Sequence, residues 1–373
     1  MGKRIGILTA GSDCPGLNAA IRGFGKAALN HYDISLIGFR DGFQGLLAND
    51  SFEVGSNSLS NVLTAGGTIL GTSRVVPHKV QEGDEVIDKT DLAVANYHQN
   101  KLDGLVCIGS NETQEVAYIL KKAGLNVLTL PKSANNDVPR TDTTIGYDTA
   151  LLIATEAIDR LHSTANSNHR IIIVEIMGRE AGWLSLGAGI AAGADVILIP
   201  EIPYSIEKVS EAILARNQAG KMFSIVAVSE GANSAELMAF FERSMKLNKK
   251  LHDGQSMRSG EERISELKKK YTGQTMLLAN RLEELTGLET RITILGYLLR
   301  GGAPSARDRV LATYLGTRAA EWVAEDQFGG MIAVRGDFLE MVPFEELANE
   351  TKHIPMDHPW ITGARLVGTV LGD

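Results

Sequence analysis

Arg4-Ile5-Gly6-Ile7-Leu8-Thr9-Ala10-Gly11-Ser12-Asp13-Cys14-Pro15-Gly16-Leu17-Asn18 sets the fold. Arg4–Thr9 is an aliphatic, strand-like run, the next seven residues hold two glycines and a proline, and helix-period spacing then runs over Leu17–Leu29. The same alternation continues along the chain. Further strands are predicted at Ile34–Phe39, Gly104–Ile108, Asn126–Leu130, Arg170–Ile176, Asp195–Ile199, Ser224–Ser229, Arg291–Gly296 and Met331–Val334. Helical patterns fall at Thr113–Ala123, Thr149–Ser163 and Val209–Asn217. These strands are apolar throughout rather than alternating, which requires cover on both faces. The expected class is therefore α/β, doubly wound around mainly parallel sheets.

A chain of 373 residues exceeds one core and suits two domains. Its 44% hydrophobic and 22% charged residues fit a soluble globular protein. A formal net charge of −8 argues against a broad grip on nucleic acid or an anionic membrane, so an anionic ligand must meet a local basic cluster. No apolar run is long enough to span a bilayer and no signal-peptide core follows Met1, so a cytoplasmic location is expected. Cys14 and Cys107 lie in unrelated small or apolar contexts and read as buried free thiols. Residues 243–285 are dense in charge and helix-compatible, which reads as a solvated helical face, with a subunit-contact arm or a lid as the alternative.

Open parallel sheets bind ligands at the carboxyl ends of their strands, where glycine lets main-chain amides approach anions. Six turns stand at such places: Thr9–Asn18, Gly66–Arg74, Gly109–Thr113, Pro131–Val138, Glu175–Arg179 and Leu299–Pro304. The first lacks the Gly-Lys-Ser/Thr ending of a nucleotide P-loop. Arg74, Lys132, Arg179 and Arg300 add cations to four of the others, a combination suited to phosphate.

These segments, in this order, resemble the phosphofructokinase family, with Gly66-Gly67-Thr68…Ser73-Arg74, Met177-Gly178-Arg179 and Arg300-Gly301-Gly302 in register. Pro131–Asp137 is similar to that family's Pro-Lys-Thr-Ile-Asp-Asn-Asp loop. The resemblance runs from about residue 3 to the end and is greatest to bacterial pyrophosphate- or ATP-dependent members. It implies two Rossmann-like lobes, residues 1–146 plus about 299–350 for the phosphoryl donor and 147–298 plus the C-terminal tail for the sugar phosphate, with the active site in the cleft between them. It further implies fructose 6-phosphate held by Ser133, Met177, Gly178, Arg179, Glu230, Tyr297 and Arg300. Arg170 and Arg291 correspond to the pair donated by a neighbouring subunit, hence a homo-oligomer, or a hetero-oligomer with a paralogue. Tyr297 stands where members usually place histidine. Gly11 and Arg74 correspond to contacts of the transferring phosphoryl group. Lys132 and Glu112 lean the donor towards pyrophosphate over ATP, with Mg²⁺ as the cofactor of an active protein.

Two positions depart from the pattern. Phosphoryl transfer to a hydroxyl needs a proton acceptor and a cation held against the donor oxygens. Asn135 stands at the base position and Asn111 at the metal-associated one. An amide does not accept that proton, and general-base help is worth about 10²–10⁴-fold in rate. Asp137, Asp13 and Glu112 are the carboxylates left that could compensate. Two expectations stay open: a sugar-phosphate kinase with activity weakened or lost, and a non-catalytic sensor or regulatory subunit of an active paralogue.

Overall fold

The computed structural model describes residues 2–239, 274–347 and 350–373. It divides into two compact units, residues 1–152 with 297–352, and residues 153–296 with 353–373. Of the charged stretch 243–285, residues 243–273 lie outside the described residues, and the remainder falls in one helix.

The first unit is built on a seven-stranded sheet. Its strands are β1 (Arg4–Thr9), β2 (Ser35–Phe39), β3 (Ser51–Glu53), β6 (Gly104–Gly109), β7 (Val127–Pro131), β12 (Gly330–Arg335) and β13 (Phe338–Pro343), with a hairpin of β4 (Val80–Glu82) and β5 (Glu85–Ile87) alongside. The order is β13-β12-β7-β6-β1-β2-β3, parallel at the centre, with antiparallel β3 and β13 on the edges. β6 and β7 are buried at every residue, as their unbroken apolar runs require. Helices α1 (Leu17–His31), α2 (Phe43–Ala48), α3 (Thr90–Gln99) and α4 (Asn111–Lys122) complete the N-terminal part of this unit. α1 buries Leu17, Ala20, Ile21, Phe24 and Ala28, a single stripe at helical spacing.

Helix α5 (Tyr147–Asn168) starts in the first unit and carries the chain into the second. The second unit has a four-stranded, all-parallel sheet in the order β11-β8-β10-β9, made of β8 (Ile171–Ile176), β9 (Val196–Leu198), β10 (Ser224–Ser229) and β11 (Thr290–Ile294). Its helices are α6 (Trp183–Ala191), α7 (Ile206–Gln218), α8 (Gln274–Thr286) and, near the C-terminus, α10 (Pro359–Leu366). Ile171, Ile173, Val226 and Val228 of the sheet pack with Val209 and Ile213 of α7 and with Leu278 and Leu282 of α8. Helix α9 (Ala306–Ala324) belongs to the first unit and lies against α1. The doubly wound α/β class expected from the sequence is the class observed. Each of the nine predicted strands is present within two residues at either end, whereas β3, β4, β5 and β13 were not anticipated.

Candidate active site

In the first unit, β7, β6 and β1 are neighbours, so the turns at their carboxyl ends come together. Gly11 follows β1 with φ +82, a left-handed conformation that favours glycine, and its N–H donates to the Ser73 carbonyl at 2.8 Å. Thr72 Oγ1 donates to the Gly11 carbonyl at 2.7 Å, which fixes the Gly66–Arg74 turn against the first. Arg74 is exposed and reaches Ser12 Oγ at 3.0 Å. Lys132, just beyond β7, is only 3% exposed, and its ammonium donates to the Ser12 carbonyl. Burial holds the Lys132 pKa below the usual lysine range, with Asp13 and Asp137 opposing that fall and Arg300 adding to it. A Cβ added to Gly11 would lie 3.5 Å from both Lys132 Nζ and Ser110 Oγ, so two donors border the same small space. A small, open recess lies beside it, walled by Gly11, Ser73, Arg74, Val75, Phe43 and Glu112.

Asn111 and Asn135 sit in this group of turns. Asn111 opens α4, and its Nδ2 donates to the Asp137 carbonyl at 3.2 Å while its Oδ1 is buried without a donor. The Lys352 N–H donates to the same carbonyl at 3.0 Å. Ser133 Oγ donates to Asp137 Oδ1 at 2.6 Å and accepts from the Asn135 N–H at 3.1 Å, closing a tight loop around Asn135. The Asn135 side-chain oxygen is also buried without a donor. The family's Mg²⁺ needs oxygens, ionised ones above all. Among the described residues no group of three or more acidic, histidine or cysteine side chains is placed to hold a metal ion, and Asn111 turns an N–H donor towards the Asp137 carbonyl. The residues present do not fit a protein-built magnesium site.

In the second unit, Met177-Gly178-Arg179 follows β8 and Glu230 follows the adjacent β10. Gly178 has φ +145, and a Cβ there would come within 2.6 Å of the Ala181 carbonyl and Ser229 Oγ, so only glycine fits. Its N–H donates to Glu230 Oε1 at 3.3 Å, and Ser229 Oγ donates to its carbonyl at 2.5 Å. Arg179 is 74% exposed and 3.6 Å from Glu230. An exposed pair of this kind is worth about 0–1 kcal/mol, which leaves the guanidinium readily available to a ligand. Arg170 and Arg291 lie elsewhere. They flank the amino end of β8, roughly 20 Å along that strand from Met177. Both pair with Glu289, whose carboxyl is held below the usual range first by the Arg170 hydrogen bond. Within one chain the structure therefore gathers Met177, Gly178, Arg179 and Glu230 and sets Arg170 and Arg291 apart.

Tyr297 and Arg300 occupy a short helical turn of the first unit, Tyr297 78% exposed with the Arg300 guanidinium 5.3 Å from its ring centre. Sequence reasoning missed Asp308, a few residues further along the chain. Asp308 is fully buried in the first turn of α9 and accepts from the Gly146 N–H at 3.0 Å, the Thr149 N–H at 2.8 Å and Thr149 Oγ1 at 2.5 Å. It thus serves the amino end of α5. Burial pushes its carboxyl pKa up, and these donors oppose the rise. Ser305 caps α9 and bonds Asp148 Oδ2 at 2.6 Å. The Ser305-Ala306-Arg307-Asp308 spacing was the available signal, a capping pattern ahead of a helix. Cys14 and Cys107 are free and buried, as expected, and burial pushes the Cys14 thiol up to about 12.

Beyond its geometry, the sequence matches the phosphofructokinase family profile over residues 4–323. The chain belongs to the phosphofructokinase family. It is similar to the ATP-dependent 6-phosphofructokinase of Propionibacterium freudenreichii subsp. shermanii, with 51% identity over 373 residues covering all of both chains. It is also similar to the ATP-dependent 6-phosphofructokinase of Spirochaeta thermophila, with 46% identity over 376 residues and 98% of that protein covered. Among solved structures, a Pichia pastoris phosphofructokinase superposes with a TM-score of 0.76 at 30% identity over 93% of this chain. This chain spans 35% of that longer one. A pyrophosphate-dependent phosphofructokinase of Marinobacter aquaeolei matches in fold, with a TM-score of 0.74 at 21% identity, covering 95% of this chain and 86% of that one. Among the described residues no helix is long and apolar enough to cross a membrane.

Proposed function

We propose that this chain binds fructose 6-phosphate or a similar sugar phosphate through Met177, Gly178, Arg179 and Glu230, and that it transfers a phosphoryl group weakly or not at all. Its substrates are those of the family reaction, a sugar phosphate with ATP or pyrophosphate. The observation that carries the reading is Asn135, an amide at the base position in a loop closed by Ser133 and Asp137. Arg179 can meet a phosphate, and Glu230 fixes the Gly178 amide beside it. The sugar hydroxyl still needs somewhere to leave its proton. Asp137 is the nearest carboxylate in sequence, and the Ser133 hydroxyl already engages it.

Purified chain assayed with fructose 6-phosphate, Mg²⁺ and either ATP or pyrophosphate tests this. The expectation is measurable sugar-phosphate binding with turnover far below the roughly 1–100 s⁻¹ usual for kinases. Replacing Asn135 by Asp should raise the rate by about 10²–10⁴-fold if the amide is the limiting defect. Wild-type turnover in the ordinary range would overturn the reading. Self-association belongs to it too, since Arg170 and Arg291 lie too far along β8 to serve the Arg179 loop of their own chain.

A further inference from the structure

We propose that the Gly11–Lys132–Arg74 end of the first unit takes the terminal phosphate of a phosphoanhydride without a divalent cation. The proposal rests on the family ligand chemistry proposed above and departs from it on one point, the metal. Lys132 is the first ground. Its ammonium has three donors, yet it is 3% exposed, its one hydrogen bond among the described residues goes to the Ser12 carbonyl, and no described carboxylate pairs with it. Asp13 and Asp137 act on it only from beyond ion-pair contact, and a buried charge without a contacting counter-charge is destabilising in general, which an anion that reaches it relieves. The second ground is space. The position beside Gly11, 3.5 Å from Lys132 Nζ and from Ser110 Oγ, admits an atom where any side chain at residue 11 would block it. Arg74 stands on the wall of the adjoining recess and supplies a second cation.

The third ground is the state of the oxygens a cation would use. Asn111 directs an N–H to the Asp137 carbonyl at 3.2 Å, so a donor stands at an acceptor that a bound ion would have to share. The Asp137 carboxylate takes the Ser133 hydroxyl at 2.6 Å. Glu112 is the one acidic side chain among those walling the recess, and the amides at 111 and 135 place no ionised oxygen beside it. Positive charge to meet an anion is thus supplied by side chains, and the amides at 111 and 135 add no negative charge against it. Pyrophosphate and the triphosphate of ATP share this chemistry.

Calorimetric titration of the full chain, with pyrophosphate and with ATP in separate arms, decides the matter. Each arm is run in EDTA and in excess Mg²⁺. Wild-type affinity is expected to agree within about threefold between the two conditions, and Lys132→Met to weaken binding by about tenfold or more. The double variant N111D/N135D is expected to reverse the pattern, weak in EDTA and restored by Mg²⁺. Binding by one arm or by both supports the proposal and names the source of the phosphate. Binding that requires Mg²⁺ in the wild type, or a K132M affinity equal to wild type, overturns it. A parallel titration with fructose 6-phosphate separates the layers: if that sugar binds while pyrophosphate and ATP need metal, only the metal-free proposal fails. If none of the three ligands binds, the family ligand reading fails with it.

Discussion

Asp308 offers a sharp test of how the first unit is held together. Its carboxylate is fully buried and accepts two backbone N–H groups and one hydroxyl. Replacement by alanine leaves the Gly146 and Thr149 N–H groups buried with no acceptor, at about 1–3 kcal/mol each. Loss of a negative charge at the amino end of α5 adds about 0.5–1 kcal/mol. Against this, the variant no longer buries an ion, a penalty visible in the raised carboxyl pKa. The net expectation for D308A is a loss of about 3–4 kcal/mol, within the range for removing one partner of a buried charged network. Asparagine keeps one acceptor oxygen and carries no charge, so D308N should lose only about 1–2 kcal/mol. Equilibrium urea unfolding gives the total, and hydrogen exchange over residues 145–152 shows whether the loss is local to the start of α5. A D308A chain within 1 kcal/mol of wild type, or a D308N chain as damaged as D308A, would refute the account of Asp308 as an acceptor.

Two further outcomes are expected. Glu289 holds both Arg170 and Arg291, so E289Q should release their charge and tighten fructose 6-phosphate binding by about three- to tenfold at low ionic strength, less at high salt. Titration that shows no change would mean that neither arginine meets the ligand. Burial lowers the Lys352 pKa from 10.5 to about 8, with Asp142 and Asp137 opposing the fall. The folded chain therefore sheds this proton before the unfolded chain does, and its stability should rise as pH climbs from 8 towards 10.5. K352M should remove that rise, at most about 3 kcal/mol across the window, and unfolding midpoints with equal pH slopes in the two proteins would contradict it.

Much of the fold was written in continuous apolar runs. Val127–Pro131 and Gly104–Gly109 have no polar face to offer water, so they could only be interior strands. β13 was missed because exposed and half-buried residues alternate along it, the pattern of an edge strand, although the Gly336-Asp337 turn before it was a hairpin signal. The candidate site was legible as residue types and strand-end positions, but not as partners. Nothing in the spacing says that β1, β6 and β7 lie side by side, which is what brings Gly11, Asn111 and Lys132 together. Nor does it say that Arg170 and Arg291 share Glu289, because that depends on β11 pairing with β8 in one register. Asp308 was invisible for the same reason: its partners at Gly146 and Thr149 are some 160 residues away.

The two amides then bear on binding and chemistry in opposite directions. A carboxylate at 111 or 135 would lend Lys132 a counter-charge and could take up a cation. An amide does neither, so the ammonium keeps its pull on an incoming phosphate. An amide at 135 also offers no basic group to a sugar hydroxyl proton. A hold that is equally strong on the bound phosphate and on the transition state does not lower the barrier between them, since only interactions that strengthen on the way up accelerate a step. On the proposed reading, firm anion binding and slow transfer are in that sense one property of this site, both following from the neutral amides of Asn111 and Asn135.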